Sequence, residues 1–230
     1  TAAQPFLGKN GVEGIRVSTR PDAINEDVLD ILKSYKVTSI ELGAQSMDEK
    51  VLLLNHRGHT RDDIIKASKL IKKNGFSLGL QMMTGLYGDN DETAIETAKK
   101  LIALSPDTAR IYPTVVLECT ELERLYKMGQ YKPQTVEEAA DLCSELLMMF
   151  HENDIRVIRV GLHSGGNVED GFVAGAYHPA FREIFHIKSK VWVVEWVTQQ
   201  TVAKTAFKSV AFTFKSFFLF AFFVFGCYGV

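Results

Sequence analysis

The sequence predicts an α/β domain built on a parallel sheet. Short apolar runs alternate with amphipathic helical patterns along residues 10–160, and this alternation is typical of βα units. The apolar runs are nearly continuous, as in strands that are covered on both faces. No repeat or linker interrupts residues 10–160, so we expect one structural unit there.

Five apolar runs are predicted to be strands. The first, GIRVST, is followed by Pro21, which blocks its continuation. The others share its apolar character and are separated by helical patterns or turn residues. The five predicted strands are 14–19, 37–42, 76–83, 109–116 and 155–160.

Helix boundaries are indicated by capping residues. Asn25 and Thr60 each precede an amphipathic pattern and offer a side-chain oxygen to the first turn. Thr135 with Glu138 forms a capping box at the start of a long helix, and Gly75 ends the helix that Thr60 begins. Further helices are predicted at 48–54, 91–104 and 120–127.

Charge and cysteine content narrow the class of protein. The formal net charge of −2 gives no electrostatic case for nucleic acid as a bulk partner. The three cysteines lie far apart and form no C-x-x-C metal pair, so we expect a reducing compartment and a cytoplasmic protein. Cys119 is expected to pack just past a strand. No secretory signal is visible.

Residues 185–230 differ in composition from the body. Ten of the fifteen phenylalanines and five lysines lie there with the single acid Glu195, so the tail carries about +4 and the body about −6. The final run, 217–230, is apolar but shorter than the roughly 20 residues of a membrane span. We therefore expect no membrane partner, and we interpret the tail as foreign to the domain of residues 1–184.

Ligands of such sheets bind at the carboxyl ends of the strands, where this chain places polar residues. An amide at a strand end often only satisfies loop backbone, and an isolated arginine is usually a solvated charge. Arg57 nevertheless carries a planar guanidinium group, whose paired N–H donors match the two oxygens of a carboxylate. The candidate residues are Ser18, Arg20, Gln45, Arg57, Gln81, Tyr112 and the stretch containing His163.

Five motif segments follow one another in order along the chain: IRVSTRPDAI, ELGAQSMDEKVLLLNHRGHT, GLQMMTGLYGD, RIYPTVVLECTELERLY and GAYHPAFREI. Together they resemble the radical S-adenosylmethionine superfamily, in its Elp3-like branch, which is related to oxygen-independent coproporphyrinogen III oxidases. The resemblance covers about residues 10–184.

The resemblance implies a partial (β/α)6 barrel whose [4Fe-4S] cluster binds S-adenosylmethionine and cleaves it reductively to a 5′-deoxyadenosyl radical. The family's cluster ligands come from a C-x-x-x-C-x-x-C loop after its first strand, and this chain contains no such motif. The strand at 14–19 resembles the family's third. We therefore expect a chain that lacks the first two βα units, assembles no cluster and is inactive alone.

The resemblance also assigns cofactor-binding residues. Gln45 matches the glutamine of a G-x-Q-S motif at S-adenosylmethionine, and Arg57 matches an arginine near the cofactor carboxylate. Ser18 stands where relatives often have a glutamate facing the ribose, and Gln81 stands at a polar strand-five position. A tRNA substrate is possible by family analogy alone.

Two other functions remain open at this point. The chain could be another (β/α)-barrel enzyme acting on a small carbonyl or phosphorylated substrate, although no lysine stands at a predicted strand end. It could also be a non-catalytic binding remnant.

Overall fold

The computed structural model describes residues 4–8, 13–162, 166–179, 181 and 184, and the predictions for His163 and for the tail 185–230 lie outside them. Seven strands are present in this part of the chain: β1 Ile15–Thr19, β2 Val37–Gln45, β3 Ser77–Thr84, β4 Thr108–Pro113, β5 Val115–Leu117, β6 Arg156–Val160 and β7 Phe172–Gly175.

The helices of the described residues are α1 Glu26–Ser34, α2 Glu49–Leu54, α3 Arg61–Lys73, α4 Asp91–Ile102, α5 Glu121–Lys127, α6 Val136–Glu152 and the four-residue α7 Gly166–Glu169. Short 3-10 turns lie at Gln4–Phe6 and Pro21–Ala23. Among the described residues, every helix is too short or too polar to span a bilayer.

Five strands form one parallel sheet in the order β1-β2-β3-β4-β6. Helices connect successive strands, as parallel pairing requires. The predicted α/β fold with a parallel sheet is confirmed, and each of the five predicted strands falls within two residues of an observed one, apart from the two changes described next.

Two strands differ from the prediction. The run predicted at 109–116 is divided at Thr114, and β2 extends past residue 42 to Gln45. After the division, β5 pairs antiparallel with β7 in a separate two-stranded sheet. β7 was not among the predicted strands, and β5 and β7 lie far apart in the sequence, so no tight turn between them indicated this pairing.

The predicted helix boundaries are confirmed by the caps. Asn25 accepts from the Val28 amide, and reciprocal capping boxes close at Thr60 and Thr135. Gly75 takes a left-handed φ of +82° directly after α3, a conformation that costs glycine little. Cys119 was expected to pack, but it is exposed, because it lies in the turn between β5 and α5.

The two faces of the five-stranded sheet differ in chemistry. Alternate strand residues pack against the helices and are almost fully buried: Ile40, Leu42, Leu78, Leu80, Met82, Ala109 and Ile111. The residues between them point to the other side, which we call the inner face. It carries Ser18, Ser39, Glu41, Gly79, Gln81, Thr108 and Arg110.

Candidate cofactor site at the strand ends

Gln45 ends β2 in an unusual backbone conformation. Its φ is +64°, which is uncommon for a residue other than glycine, and the pairing of β2 with β3 shifts register between Gly43 and Gln45. This bulge turns the Gln45 side chain over Gly43, where it is only 5% exposed. The strand end is therefore shaped to aim one amide at the inner face.

Gln45 and Gln81 hold each other. The Gln81 Nε2 donates to Gln45 Oε1 at 3.2 Å, so a polar pair joins the ends of β2 and β3. Gln81 is half-buried, and its amide has a partner inside the sheet. The bridge leaves the Gln45 Nε2 directed over Gly43.

Arg57 converges on the same point. A Cβ added at Gly43 would lie 2.7 Å from Gln45 Nε2 and 3.9 Å from Arg57 Nη2. The absence of a side chain at Gly43 therefore leaves room for the Gln45 amide, and the Arg57 guanidinium lies next to the same position. Gln45 and Arg57 were predicted to meet at one ligand, and the structure brings them together on one side of β2.

The loop that carries Arg57 is fixed to the end of β2. His59 is 4% exposed, and its Nε2 lies 3.1 Å from the Ala44 carbonyl oxygen. The Arg57 amide donates to the Leu52 carbonyl, and Gly58 takes a φ of +71°. These contacts position the guanidinium, so the histidine after it has a structural role.

Arg57 has a charge without an opposing partner in the described part of the chain. Its Nε is buried and makes no hydrogen bond there, and no described carboxylate lies within ion-pair distance of it. The nearby Asp22 pairs instead with Arg20, at 2.7 Å. Burial, followed by the charge of Arg20, lowers the pKa of Arg57 from its usual value. An anionic ligand would relieve both effects.

Ser18 lies apart from this group. It is exposed on the edge strand β1, and its Oγ donates to Glu41 Oε1 at 3.3 Å. The structure thus brings Gln45, Arg57 and Gln81 together but places Ser18 beside a different residue. Its assignment to the cofactor stays a prediction.

Ser46 and Thr97 fix the loop that follows Gln45. Thr97 Oγ1 accepts from the Met47 amide at 3.0 Å and lies 3.3 Å from Ser46 Oγ. The Ser46 Oγ also accepts from the Asp48 amide. The serine after the glutamine therefore ties the strand end to α4 and contacts no open space, since it is 2% exposed.

Glu41 and Arg110 were missed as site residues by sequence reasoning. Glu41 is 2% exposed on β2, and Arg110 Nε lies 2.9 Å from its Oε2. The N–H does not point along a hydrogen bond, so the contact is an ion pair with imperfect geometry. Charged residues inside apolar strands were the signal that could have identified both.

A separate cavity of about 580 Å³ lies behind the loop that follows β3. Its lining includes Asp89, Asp91, Glu92 and Glu138, and burial raises the pKa of Asp89. Gln45, Arg57 and Gln81 do not line it. Its acidic lining is unfavourable for a carboxylate or a phosphate, whereas the strand ends present the cation Arg57.

Comparison with known proteins agrees with this fold. A sequence model described as the Radical SAM superfamily matches residues 3–101, and one described as the Radical_SAM C-terminal domain matches residues 106–192. The chain therefore belongs to the radical SAM superfamily. The second match extends past residue 184, where the predicted domain ends.

Relatives identify the branch. The chain is 35% identical to the tRNA uridine(34) acetyltransferase of Methanocaldococcus infernus over 56% of its length and 24% of that protein. It is 32% identical to human Elongator complex protein 3 over 59% of its length and 25% of that protein. It is thus an Elp3-like member of the superfamily, and it spans about a quarter of the length of these relatives.

A solved structure shows the same fold. The archaeal Methanocaldococcus infernus Elp3 with an N-terminal deletion superimposes with a TM-score of 0.71 at 28% identity. The superposition covers 77% of this chain and 41% of that one. The two other functions left open by the sequence, a different barrel enzyme and a binding remnant, are not favoured by these likenesses.

Proposed function

We propose that the strand-end site binds S-adenosylmethionine and that the chain is part of an Elp3-like radical SAM enzyme. The observation that carries the proposal is the convergence of Gln45 and Arg57 over Gly43, with the buried Arg57 Nε lacking a partner among the described residues. Arg57 would hold the methionyl carboxylate in a charge-assisted contact. Gln45 would contact its polar groups, with Gln81 fixing the amide.

Ser18 is assigned to the ribose side of the cofactor from the family resemblance alone. Its hydroxyl is exposed on β1 and can accept a further hydrogen bond while donating to Glu41. It brings no charge, so we expect a small contribution from it.

The [4Fe-4S] cluster does not fit this chain by itself. Its cysteines, Cys119, Cys143 and Cys227, do not form a C-x-x-x-C-x-x-C loop. The described residues also contain no group of three His, Cys, Asp or Glu side chains that could hold a metal. The role proposed for the residues of this chain is therefore the binding and orientation of the cofactor.

The substrate of the intact enzyme is proposed from the relatives alone. Two of them are named for tRNA uridine(34) acetylation or for the Elongator complex, so a tRNA is the substrate that we propose. An electrophoretic mobility assay with total tRNA would test it, with a double-stranded DNA of equal charge as the control. Equal affinity for both nucleic acids would contradict the proposal.

Calorimetry tests the cofactor site directly. We expect heat of binding with S-adenosylmethionine, and an affinity lower by about 10- to 100-fold in Arg57→Ala, since a hydrogen bond to a charged group contributes about 1.5–3 kcal/mol. Arg124→Ala is the matched control, because Arg124 lies exposed on α5 and pairs with Glu121. Its affinity should equal that of the wild type.

A second ligand separates the carboxylate contact from a loss of folding. Decarboxylated S-adenosylmethionine retains the nucleoside and amine but lacks the group assigned to Arg57. Wild type and Arg57→Ala should bind it with similar affinity. If Arg57→Ala binds S-adenosylmethionine as tightly as the wild type does, the assignment is wrong.

A further inference from the structure

The inner face contains one acid among several arginines. Within the five strands of the parallel sheet, Glu41 is the single acidic residue, whereas arginines occupy four positions. Strand register places all four on the face of Glu41. They are Arg16, Arg110, Arg156 and Arg159. The face therefore carries more positive than negative charge.

Glu41 reaches Arg110 by crossing a whole strand. The two residues lie on β2 and β4, and Gly79 of β3 lies between them in register with Glu41. A Cβ added at Gly79 would lie 3.3 Å from Glu41 Cγ and 3.1 Å from Thr108 Oγ1. The absence of a side chain at Gly79 leaves the path over which the glutamate extends.

The carboxylate is buried, but its arginines are not. Glu41 is 2% exposed, whereas the side chains of Arg16 and Arg110 are 31% and 27% exposed. Arg16 Nη1 lies 3.9 Å from Glu41 Oε2, on the opposite side from Arg110. Glu41 thus contacts one nitrogen of each of two guanidinium groups, and both arginine side chains remain partly exposed to solvent.

Arg110 is directed toward the strand-end site. It is in register with Gln81, and its Nη1 donates to the Tyr112 hydroxyl at 3.3 Å. Its Nη2 makes no hydrogen bond within the described part of the chain, so this donor is left for a ligand. Gln81 separates Arg110 from Gln45 and Arg57, so one arginine lies on each side of the amide pair.

We propose that Arg110, oriented by Glu41, binds an oxyanion of the substrate on the side of the site opposite Arg57. The proposal rests on the proposed function, since it divides one site between the cofactor carboxylate and the substrate. Arg110 is the ligand-contacting residue, and Glu41 is a positioning residue that acts through it. A guanidinium suits a carboxylate or a phosphate because it presents paired donors in one plane.

An NMR titration of the full chain with sodium phosphate tests the proposal. We expect the backbone amide resonances of Gln81 and Tyr112 to shift in the wild type and in Arg57→Ala, and not in Arg110→Gln. Arg110→Lys should restore part of the response, because it keeps the charge. Arg124→Gln serves as the surface control. No shift in the wild type, or an unchanged shift in Arg110→Gln, would overturn the proposal.

Glu41→Gln separates positioning from a structural role. Loss of the carboxylate should weaken phosphate binding about tenfold while the amide resonances of the helix-facing residues Leu78 and Leu80 stay in place. A phosphate affinity equal to that of the wild type would refute the role of Glu41. A parallel titration with sodium acetate distinguishes the class of ligand. Shifts of Gln81 and Tyr112 with both anions support a general oxyanion site. Shifts with phosphate alone support the same site with a phosphate-bearing substrate.

The outcome is independent of the cofactor test. If S-adenosylmethionine fails to bind while phosphate still shifts Gln81 and Tyr112 through Arg110, the proposed function fails and the oxyanion site remains. If S-adenosylmethionine binds and phosphate does not, the proposed function stands and the oxyanion site at Arg110 fails.

Discussion

The helix-facing side of the parallel sheet is apolar, whereas the inner face is polar and charged. On β3, Leu80 points to the helices at 1% exposure, and the next residue, Gln81, points to the inner face and pairs with Gln45. The same strand thus contributes to stability on one side and to ligand contacts on the other. Stability and binding can therefore be changed separately by substituting neighbouring residues.

The largest expected effect is on the helix-facing side. Leu80→Ala should lower the free energy of unfolding by about 2–5 kcal/mol, since it removes buried methyl groups from a close-packed core. Urea denaturation measures this change. Affinity for S-adenosylmethionine, measured at a temperature where the variant is folded, should match that of the wild type. A tenfold weaker affinity would show that the two faces are coupled.

Gln81→Ala should lower stability less than Leu80→Ala does, and it should also weaken cofactor binding. Removing its amide leaves the Gln45 Oε1 without its partner, which costs about 1–3 kcal/mol of stability, less than the loss at Leu80. Calorimetry should show weaker binding of S-adenosylmethionine, because Gln45 is no longer held over Gly43. If binding is unchanged, the amide pair has only a structural role.

The buried thiol on the helix-facing side should make stability depend on alkaline pH. Burial raises the pKa of Cys143 to about 12. The thiol of the unfolded chain ionises near pH 8.5. Below that pH the thiol is neutral in both states, and the contribution of its burial to the free energy of unfolding is fully present. It is lost as pH rises toward the folded pKa, by about 1.4 kcal/mol per pH unit.

Denaturation at pH 8 and pH 10 checks this expectation. The decline in stability between the two should be smaller in Cys143→Ala than in the wild type. Cys119→Ala is the control, because that thiol is exposed and should leave the decline unchanged. Equal declines in all three proteins would contradict the effect of burial.

The smallest expected effect lies at a helix start. Thr135→Ala removes the side-chain acceptor for the Glu138 amide and should cost about 1 kcal/mol. Thr135→Ser retains the hydroxyl and should lie close to the wild type in a thermal melt. A loss as large as that of Leu80→Ala would mean that α6 is held mainly by its cap, contrary to its buried face.

Much of the fold was predictable because local patterns and final structure agree. Strands with apolar periodicity and helices with strong caps, such as Thr60 and Thr135, formed where expected. The division at Thr114 and the β5–β7 pair were not predictable, because antiparallel pairing between distant segments leaves no local signal. The convergence of Gln45 and Arg57 was predicted, but from resemblance to a family.

The role of Glu41 could not be predicted from neighbouring residues in the sequence. In the sequence it is one acid in an apolar run, and nothing nearby indicates a partner. Its role depends on register, which sets Gly79 beside it and Arg110 beyond. A one-residue shift of β3 would put a side chain in its path.

For the five-stranded parallel sheet and the helices between its strands, the sequence by itself determined the order of elements, most of their boundaries and the alternation that separates the two faces, because these follow from periodicity and capping between near neighbours. The tertiary structure alone decided which charged groups meet. Electrostatic contacts act over a few ångströms, and those distances exist only once strands far apart in the chain have paired in register.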